Sequence, residues 1–277
     1  MFLRMSSLIA LIALVSMTFN LRAQPLPEAK TSSNQLLIPD HRWVVPPLRH
    51  DPAAFFTNLK NGETVTSPFV VRFGMAYWGI APAEHKHART GHHHLLVDTP
   101  LPMQLNASLP FSKNYVHFGG GQMQTVLDLP AGRHTLRLLL ADFQHVPLVV
   151  FSDEITVTVS GRDPKKAEQL KNIQPELLFP NLKDGDAVLG YFKVQFHAAG
   201  LNISNKLSKL PNTGYFQLKI MPSSGRIERI PFPGGQTETW LKLPEGDYKL
   251  QLEFLKNPTD EVHTVTSPVI AIKVKGR

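Results

Sequence analysis

Apolar and polar residues alternate in short runs along most of the chain. Residues 155–159 (Ile-Thr-Val-Thr-Val) and 248–254 (Tyr-Lys-Leu-Gln-Leu-Glu-Phe) are clear examples. A period of two residues predicts β-strands with one buried face. Turn residues such as those at 130–132 (Pro-Ala-Gly) separate the runs. The pattern predicts an all-β protein, with a single short helix around residues 165–171.

The same series of motifs occurs twice, in the same order. The matching segments are 56–62 with 179–185, 118–122 with 232–236, 127–132 with 241–246, and 152–159 with 267–274. A repeat of this length indicates duplication of a whole domain. Roughly 100 residues with several short strands fit an immunoglobulin-like β-sandwich, so we predict two such sandwiches in tandem.

The repeat divides the chain into segments. We assign the first sandwich to residues 53–161 and the second to residues 177–277, with a linker at 162–176. Residues 24–52 are rich in proline and have no periodic pattern, so an extended linker is expected there.

The N-terminal residues 1–23 have the composition of a secretory signal peptide. Arg4 precedes an apolar stretch at residues 8–15, and a polar segment leads to Ala23. The stretch is too short for a membrane span, which needs about 20 residues. We therefore expect a periplasmic or secreted protein without a membrane span after signal cleavage. Retention of the segment as an anchor is the alternative.

The amino-acid composition excludes several kinds of site. The chain has no Cys, which excludes disulfides, thiolate metal sites and Cys nucleophiles. Its net charge of +7 comes from scattered Lys and Arg residues, so no nucleic-acid partner is indicated. Histidine is the unusual residue, because nine of the twelve lie between His50 and His145.

A histidine triplet lies within a predicted strand. Alternation places His92 and His94 on one face of the sheet and His93 on the other. In the second copy Phe216 matches His93 and Gln217 matches His94. We therefore expect His93 to face the core, and the other two histidines to lie on the more open side of the sheet.

The pair His92 and His94 can present two imidazoles to one metal ion, and imidazole suits zinc, copper and nickel. We predict a transition-metal site with these two ligands, completed by His145 or His117. Asp142 is expected to orient an imidazole by hydrogen bonding. Residues with a weaker expectation of taking part are His93, Asp98, His85, His87 and His134.

Methionine indicates which metal to expect. Met75, Met103 and Met123 belong to the same copy as the histidines. Thioether ligands beside imidazole would favour copper, so copper is expected first and zinc second. The second copy lacks the histidine cluster and is predicted to be structural.

Two other functions stay open. The polar histidine face could instead contact a partner protein or a glycan in the cell envelope. A metal-dependent hydrolase is less favoured, because neither a His-Glu-x-x-His motif nor a Gly-x-Ser-x-Gly elbow occurs. A binding protein is expected rather than an enzyme, and no catalytic residue is assigned.

Residues 90–98 (Thr-Gly-His-His-His-Leu-Leu-Val-Asp) resemble the signature of a bacterial family of exported or membrane-attached domains of unknown function. That family shares the motif Gly-His-His-His-Leu-Leu-(Val/Ile)-Asp. The resemblance covers about residues 55–161, hence one copy, and implies an exported or membrane-attached domain without implying a particular activity. The family's usual glycine after Pro82-Ala83 is Glu84 here. Further matching positions are His117, Phe118, Gly119, His134, Asp142, His145 and Ser152.

Overall fold

Strands make up most of the chain that the computed structural model describes, which comprises residues 39–46, 51–257 and 265–276. The predicted signal peptide lies outside these residues. The prediction of an all-β protein is confirmed. Within the described ranges, none of the helices is long and apolar enough to cross a bilayer.

A short strand, β1 (Val44–Val45), precedes the first copy. The strands of the first copy are β2 (Ala53–Phe56), β3 (Glu63–Ser67), β4 (Phe69–Ala76), β5 (Gly79–Ile80), β6 (Thr90–Val97), β7 (Tyr115–His117), β8 (Gln124–Leu127), β9 (Gly132–Ala141), β10 (Pro147–Phe151) and β11 (Ile155–Arg162).

One helix, α1 (Pro164–Gln169), lies between the copies. The second copy also contains a 3₁₀ turn at Lys206–Ser208. Its strands are β12 (Glu176–Leu178), β13 (Asp186–Leu189), β14 (Tyr191–Gln195), β15 (His197–Ala199), β16 (Asn202–Ile203), β17 (Thr213–Pro222), β18 (Glu228–Pro231), β19 (Glu238–Lys242), β20 (Gly246–Asn257), β21 (Val265–Thr266) and β22 (Ile270–Lys275).

Two sheets enclose the core of the first copy. The larger has the order β3-β11-β9-β6-β5, with β7 beside β6 and β10 beside β9, and the smaller is β2-β4-β8. β3 runs parallel to the last strand, β11, whereas β9 is antiparallel to both of its neighbours β6 and β11. The second copy repeats this order as β13-β22-β20-β17-β16, with β14 and β19 in its smaller sheet. Two tandem immunoglobulin-like β-sandwiches related by duplication are therefore confirmed.

The two sandwiches share part of their apolar core. Between the sheets of the first copy lie fully buried residues such as Phe73, Leu95 and Leu138. A larger core belongs mainly to the second copy, but Met75 and Met123 of the first copy are part of it. The copies are therefore held together by burial of apolar surface as well as by the connecting chain.

Reciprocal backbone hydrogen bonds also join the copies. The N–H group of Ile80 donates to the carbonyl oxygen of Gly235, and the N–H group of Ile203 donates to that of Gly121, both at 2.8 Å. Ile80 and Ile203 occupy matching positions in the two copies, as do the two glycines. The duplicated glycine-rich turns thus form one of the contacts between the sandwiches.

Part of the predicted linker is built into the second sandwich. β1 pairs with β19, and Trp43 is only 9% exposed, with its ring edge-on to that of Tyr248. The expectation of an extended linker is wrong for these residues. A two-residue strand and a single buried Trp are too short to produce a periodic pattern.

The helix predicted between the copies is present as α1. It begins at Pro164, a residue suited to the first helical position. The carboxylate of Asp163 accepts hydrogen bonds from the N–H groups of Lys165 and Lys166. This N-cap fixes where the chain leaves β11 towards the second copy.

Candidate metal centre

Four imidazoles meet on the outer face of the larger sheet of the first sandwich. The ring centroids of His92, His94, His117 and His145 lie 4.8–6.2 Å apart. One ligand nitrogen from each of the first three lies within 4.8 Å of the other two. Nitrogens bound to one tetrahedral zinc ion by bonds of ~2.0–2.1 Å are about 3.3 Å apart, so small side-chain rotations suffice. These three imidazoles could hold a metal ion.

Strand pairing brings three of the imidazoles together. His92 and His94 are two residues apart on β6 and project from the same face, as the alternation predicts. Their Nε2 atoms are 3.1 Å apart. His117 is directly opposite His94 in the antiparallel pair of β6 and β7. Facing residues of such a pair have their Cβ atoms only about 4.5–5.5 Å apart, so their side chains interact.

The glycine run after β7 leaves room for His117. A Cβ atom on Gly119 would lie 2.4 Å from Nε2 of His117. Any side chain at this position would therefore displace the imidazole. In the second copy Pro233 stands at the position of Gly119 and Pro231 at that of His117, so the space and the imidazole are lost together.

His145 comes from the turn between β9 and β10. Its φ is 65°, a left-handed conformation that is uncommon for residues other than glycine. The carboxylate of Asp142 accepts hydrogen bonds from the N–H groups of Gln144 and Val146 at 2.8 and 2.9 Å. Asp142 therefore positions His145 through the backbone of the turn, instead of through a hydrogen bond to an imidazole as predicted.

Several buried nitrogens of the cluster lack a hydrogen-bond partner. His92 and His94 are 0% exposed, and Nδ1 of both has no partner among the described residues. The same holds for Nε2 of His117. A buried polar atom without a partner costs about 1–3 kcal/mol, so such atoms need an explanation. A metal ion bound by the cluster would account for Nε2 of His117, because imidazole binds metals directly through a ring nitrogen. It would not account for Nδ1 of His92 and His94, because the Nε2 atoms of these rings are the ones that face one another.

Burial lowers the pKa of three imidazoles of the cluster, those of His92, His94 and His117, and so favours their neutral form. Burial, followed by the neighbouring imidazoles, lowers the pKa of His92 to about 2 and that of His94 to about 3. Burial, followed by His145, also lowers the pKa of His117. Neutral imidazole is the form that binds a metal ion, so protons do not compete with the ion at these residues near pH 7.

Acid should destabilise the metal-free chain. Burial lowers the pKa of His93, His94 and His197 to about 3 in the folded chain, whereas an unfolded imidazole has a pKa of about 6.5. Between these values the unfolded chain binds more protons. Stability therefore falls as the pH drops below about 6.5, by up to about 1.4 kcal/mol per pH unit for each imidazole. We expect the urea midpoint, followed by circular dichroism, to fall between about pH 7 and pH 5. A constant midpoint would contradict this expectation.

A long loop covers the imidazoles on the outer face. In residues 98–114, which connect β6 and β7, Leu109 packs into a small apolar cluster with Leu139 of the sheet. We expected His92 and His94 to lie on the more open side of the sheet. This expectation is wrong, because both side chains are fully buried. The side chains of His92 and His94 have no exposed surface with which to contact a partner protein or a glycan.

Phe111, in the same loop, contacts the cluster and was not indicated by the sequence. Its ring centroid lies 4.9 Å from that of His117 and 5.2 Å from that of His145. It stands in the segment Ser-Leu-Pro-Phe-Ser-Lys, which has no periodic pattern. A large aromatic residue among turn residues is the only signal there that could have pointed to it.

His93 faces the core, as predicted. It is fully buried, and its ring packs against that of Phe73 with centroids 4.9 Å apart. Burial lowers its pKa to about 3. His93 therefore lies on the opposite face of β6 from the imidazole cluster and packs behind it.

Asp98 and His134 pair with one another. Oδ2 of Asp98 is 2.7 Å from Nδ1 of His134, and Nε2 of His134 is 2.9 Å from the carbonyl oxygen of Pro130. Burial disfavours protonation of His134, but these two contacts outweigh it and raise its pKa. In the second copy the Tyr248 hydroxyl donates to the carbonyl oxygen of Pro244 at the matching place. The contact therefore supports the scaffold.

His85 and His87 line a cavity of about 180 Å³ together with Trp78 and Phe143. Nε2 of His87 lies 2.7 Å from the hydroxyl oxygen of Ser208 in the second copy. Burial, followed by His85, lowers the pKa of His87. Neither residue belongs to the trio of imidazoles that could share one ion.

The methionines do not support the preference for copper. Met75 and Met123 are fully buried in the shared core, where their packing accounts for them. Met103 is fully exposed. The sequence could not separate these roles, because a thioether in an apolar run fits a core position and a ligand position equally well.

The second copy has a different polar group at the matching sheet positions. Gln217, which stands where His94 does, donates a hydrogen bond of 2.6 Å from Nε2 to Oε2 of Glu253. Nε of Arg229 lies 3.6 Å from the same carboxylate oxygen. A Gln–Glu–Arg network thus takes the place of the imidazoles on this copy of the sheet.

The fold and the site define a tandem pair of immunoglobulin-like sandwiches with an imidazole cluster on the first. The chain belongs to the family described as Domain of unknown function (DUF4399), whose model matches residues 71–160 and 194–275. The expected membership of a domain-of-unknown-function family is confirmed. The expectation that the resemblance covers one copy is wrong, because both copies match.

The chain also has low similarity to several solved structures. Dimeric latent PorU from Porphyromonas gingivalis is 12% identical with a TM-score of 0.30, and the match covers 92% of this chain and 22% of that chain. The fibronectin(III)-like modules of CbhA from Clostridium thermocellum are 11% identical with a TM-score of 0.23, over 81% of this chain and 94% of theirs. The FN1-FN3 domains of chicken CNTN1 are 10% identical with a TM-score of 0.23, over 78% of this chain and 66% of theirs. The chain thus spans 22% of the PorU chain. No curated protein matches the chain.

Proposed function

We propose that the protein binds one transition-metal ion through His92, His94 and His117, with His145 as a fourth ligand. The observation that carries the proposal is the convergence of three imidazoles whose ligand nitrogens lie within 4.8 Å of one another. His92 and His94 are fully buried, and their lowered pKa values keep them neutral. Such an array is costly to bury unless something binds to it.

Copper and zinc are the metals that we propose. Imidazole suits both, and the three converging nitrogens joined by one from His145 would fit the tetrahedral preference of zinc. Divalent copper nevertheless binds a given nitrogen site more tightly than zinc in the Irving–Williams order. We therefore propose copper ahead of zinc because of its intrinsic affinity for nitrogen ligands, and no longer because of neighbouring methionine thioethers.

A binding role suits the site better than hydrolysis. Three imidazoles and an open position can hold a catalytic zinc ion, but a base is also needed. The carboxylate of Asp142, close in sequence to His145, is occupied by two backbone N–H groups of its own turn. The composition of residues 1–23 supports a periplasmic or secreted location for this binding protein.

Titration of the untagged full chain tests the proposal. We expect isothermal calorimetry and elemental analysis to give one ion per chain for Cu(II) and for Zn(II), with Cu(II) bound more tightly. The double variant His85→Ala/His87→Ala is the matched control, because it removes two histidines outside the trio and should bind equally well. Absence of stoichiometric binding by the wild-type chain would overturn the proposal.

A further inference from the structure

Phe111 lies on the solvent side of the imidazole cluster. His92 and His94 are fully buried, whereas His117 and His145 are half-buried. The ring of Phe111 contacts these two half-buried imidazoles, at centroid distances of 4.9 and 5.2 Å. An ion or a small ligand that approaches from this side meets the phenyl ring first.

The loop that carries Phe111 is attached to the turn that carries His145. The N–H group of Leu109 donates to the carbonyl oxygen of His145 at 2.9 Å. The hydroxyl group of Ser108 donates to the carbonyl oxygen of Gln144 at 2.9 Å. Leu109 is itself buried against the sheet. Displacement of the loop would therefore pull on the turn that positions His145.

Phe111 is 64% exposed although it is a large aromatic residue. Its side chain therefore contributes little to the core, and its contacts with His117 and His145 are its described ring contacts. A phenyl ring has no lone pair for a metal ion. Placed over imidazole ligands, it can exclude water and other donors without binding the ion itself.

We propose that Phe111 caps the metal site and determines which ligands reach the ion. The inference rests on the proposed function of the cluster. The cap excludes water and small exogenous ligands from the side of His117 and His145, and it slows exchange of the ion. An apolar cover has this effect because it controls solvent access and the local dielectric around a metal.

Two readouts on the Cu(II)-loaded full chain test the cap. The first is the rate of Cu(II) transfer to excess EDTA in stopped flow, and the second is the charge-transfer absorption that appears when azide binds Cu(II). For Phe111→Ala we expect transfer about tenfold faster and a new azide band, with a smaller change in Kd, since only the cover is lost.

Two further variants serve as controls. Phe111→Leu should restore slow transfer, because leucine keeps an apolar side chain there. Met103→Ala, an exposed apolar residue of the same loop, should behave like the wild-type chain.

The outcomes separate the cap from the binding site itself. Failure of the wild-type chain to bind Cu(II) would overturn the proposed function and the cap with it. A wild-type chain that binds Cu(II) but transfers it as fast as Phe111→Ala would overturn the cap alone. So would a Phe111→Ala chain that loses affinity without admitting azide, since Phe111 would then only hold the imidazoles in place.

Discussion

Replacement of both His92 and His94 by alanine should abolish stoichiometric metal binding. The two side chains supply two of the three nitrogens that converge within 4.8 Å. Loss even of groups that only hydrogen-bond to metal ligands costs about 10–100-fold in affinity, so loss of two ligands should exceed about a hundredfold. Calorimetric titration of Cu(II) into the double variant measures this loss.

A second variant separates loss of the site from loss of the fold. His94→Gln places at this position the residue that the second copy has at Gln217, on the same sheet. The variant should keep the circular dichroism spectrum of the wild-type chain and still lose most of its affinity. Wild-type affinity in His94→Gln, together with wild-type affinity in the double variant, would rule out the cluster as the metal site.

The sequence predicted the sheet faces well, because alternation in a strand is a local property. The second copy showed which face of β6 is buried, because apolar Phe216 stands at the position of His93. The sequence named His117 and His145 as candidate ligands, but it could not show which of them completes the site. Their meeting with His94 depends on the register of β6 with β7 and on the turn after β9, which the sequence does not determine.

Burial of the site could not be predicted from the sequence. The loop of residues 98–114 has no periodic pattern, yet Leu109 anchors it over the histidine face and Phe111 contacts two imidazoles. Such contacts join residues distant in sequence and have no local signal. The shared core could not be predicted either. An apolar residue such as Met75 has the same sequence pattern whether it packs within one copy or between the two.

Duplication explains why one copy can hold the site while the other supports it. The Tyr248–Pro244 contact of the second copy reproduces the His134–Pro130 contact of the first, so scaffold contacts are kept in both. The sheet position of His94, by contrast, carries Gln217 in a network with Glu253. The scaffold contact is therefore kept although its side chain differs, whereas the histidine of the site is replaced on the outer face of the larger sheet.

The contact between the copies should be intolerant of a side chain at Gly121. This residue has φ of 87°, and a Cβ atom would lie 2.0 Å from the carbonyl oxygen of Ile203, whose N–H group donates to the carbonyl oxygen of Gly121. Alanine here adds a steric clash with backbone to the cost of a left-handed conformation. We expect Gly121→Ala to lower the free energy of unfolding by more than about 4 kcal/mol, measured by urea denaturation of the metal-free chain.

Gly62 provides the matched control for the clash. Its φ is 82°, nearly that of Gly121, but nothing lies within 4 Å of the position that a Cβ atom would occupy. Gly62→Ala therefore carries the conformational cost alone, about 1–3 kcal/mol. The difference between the two variants measures what the contact of Gly121 with Ile203 contributes to holding the sandwiches together. Equal losses of stability would mean that the copies can shift apart at this turn without cost, and that the reciprocal hydrogen bonds do not fix their packing.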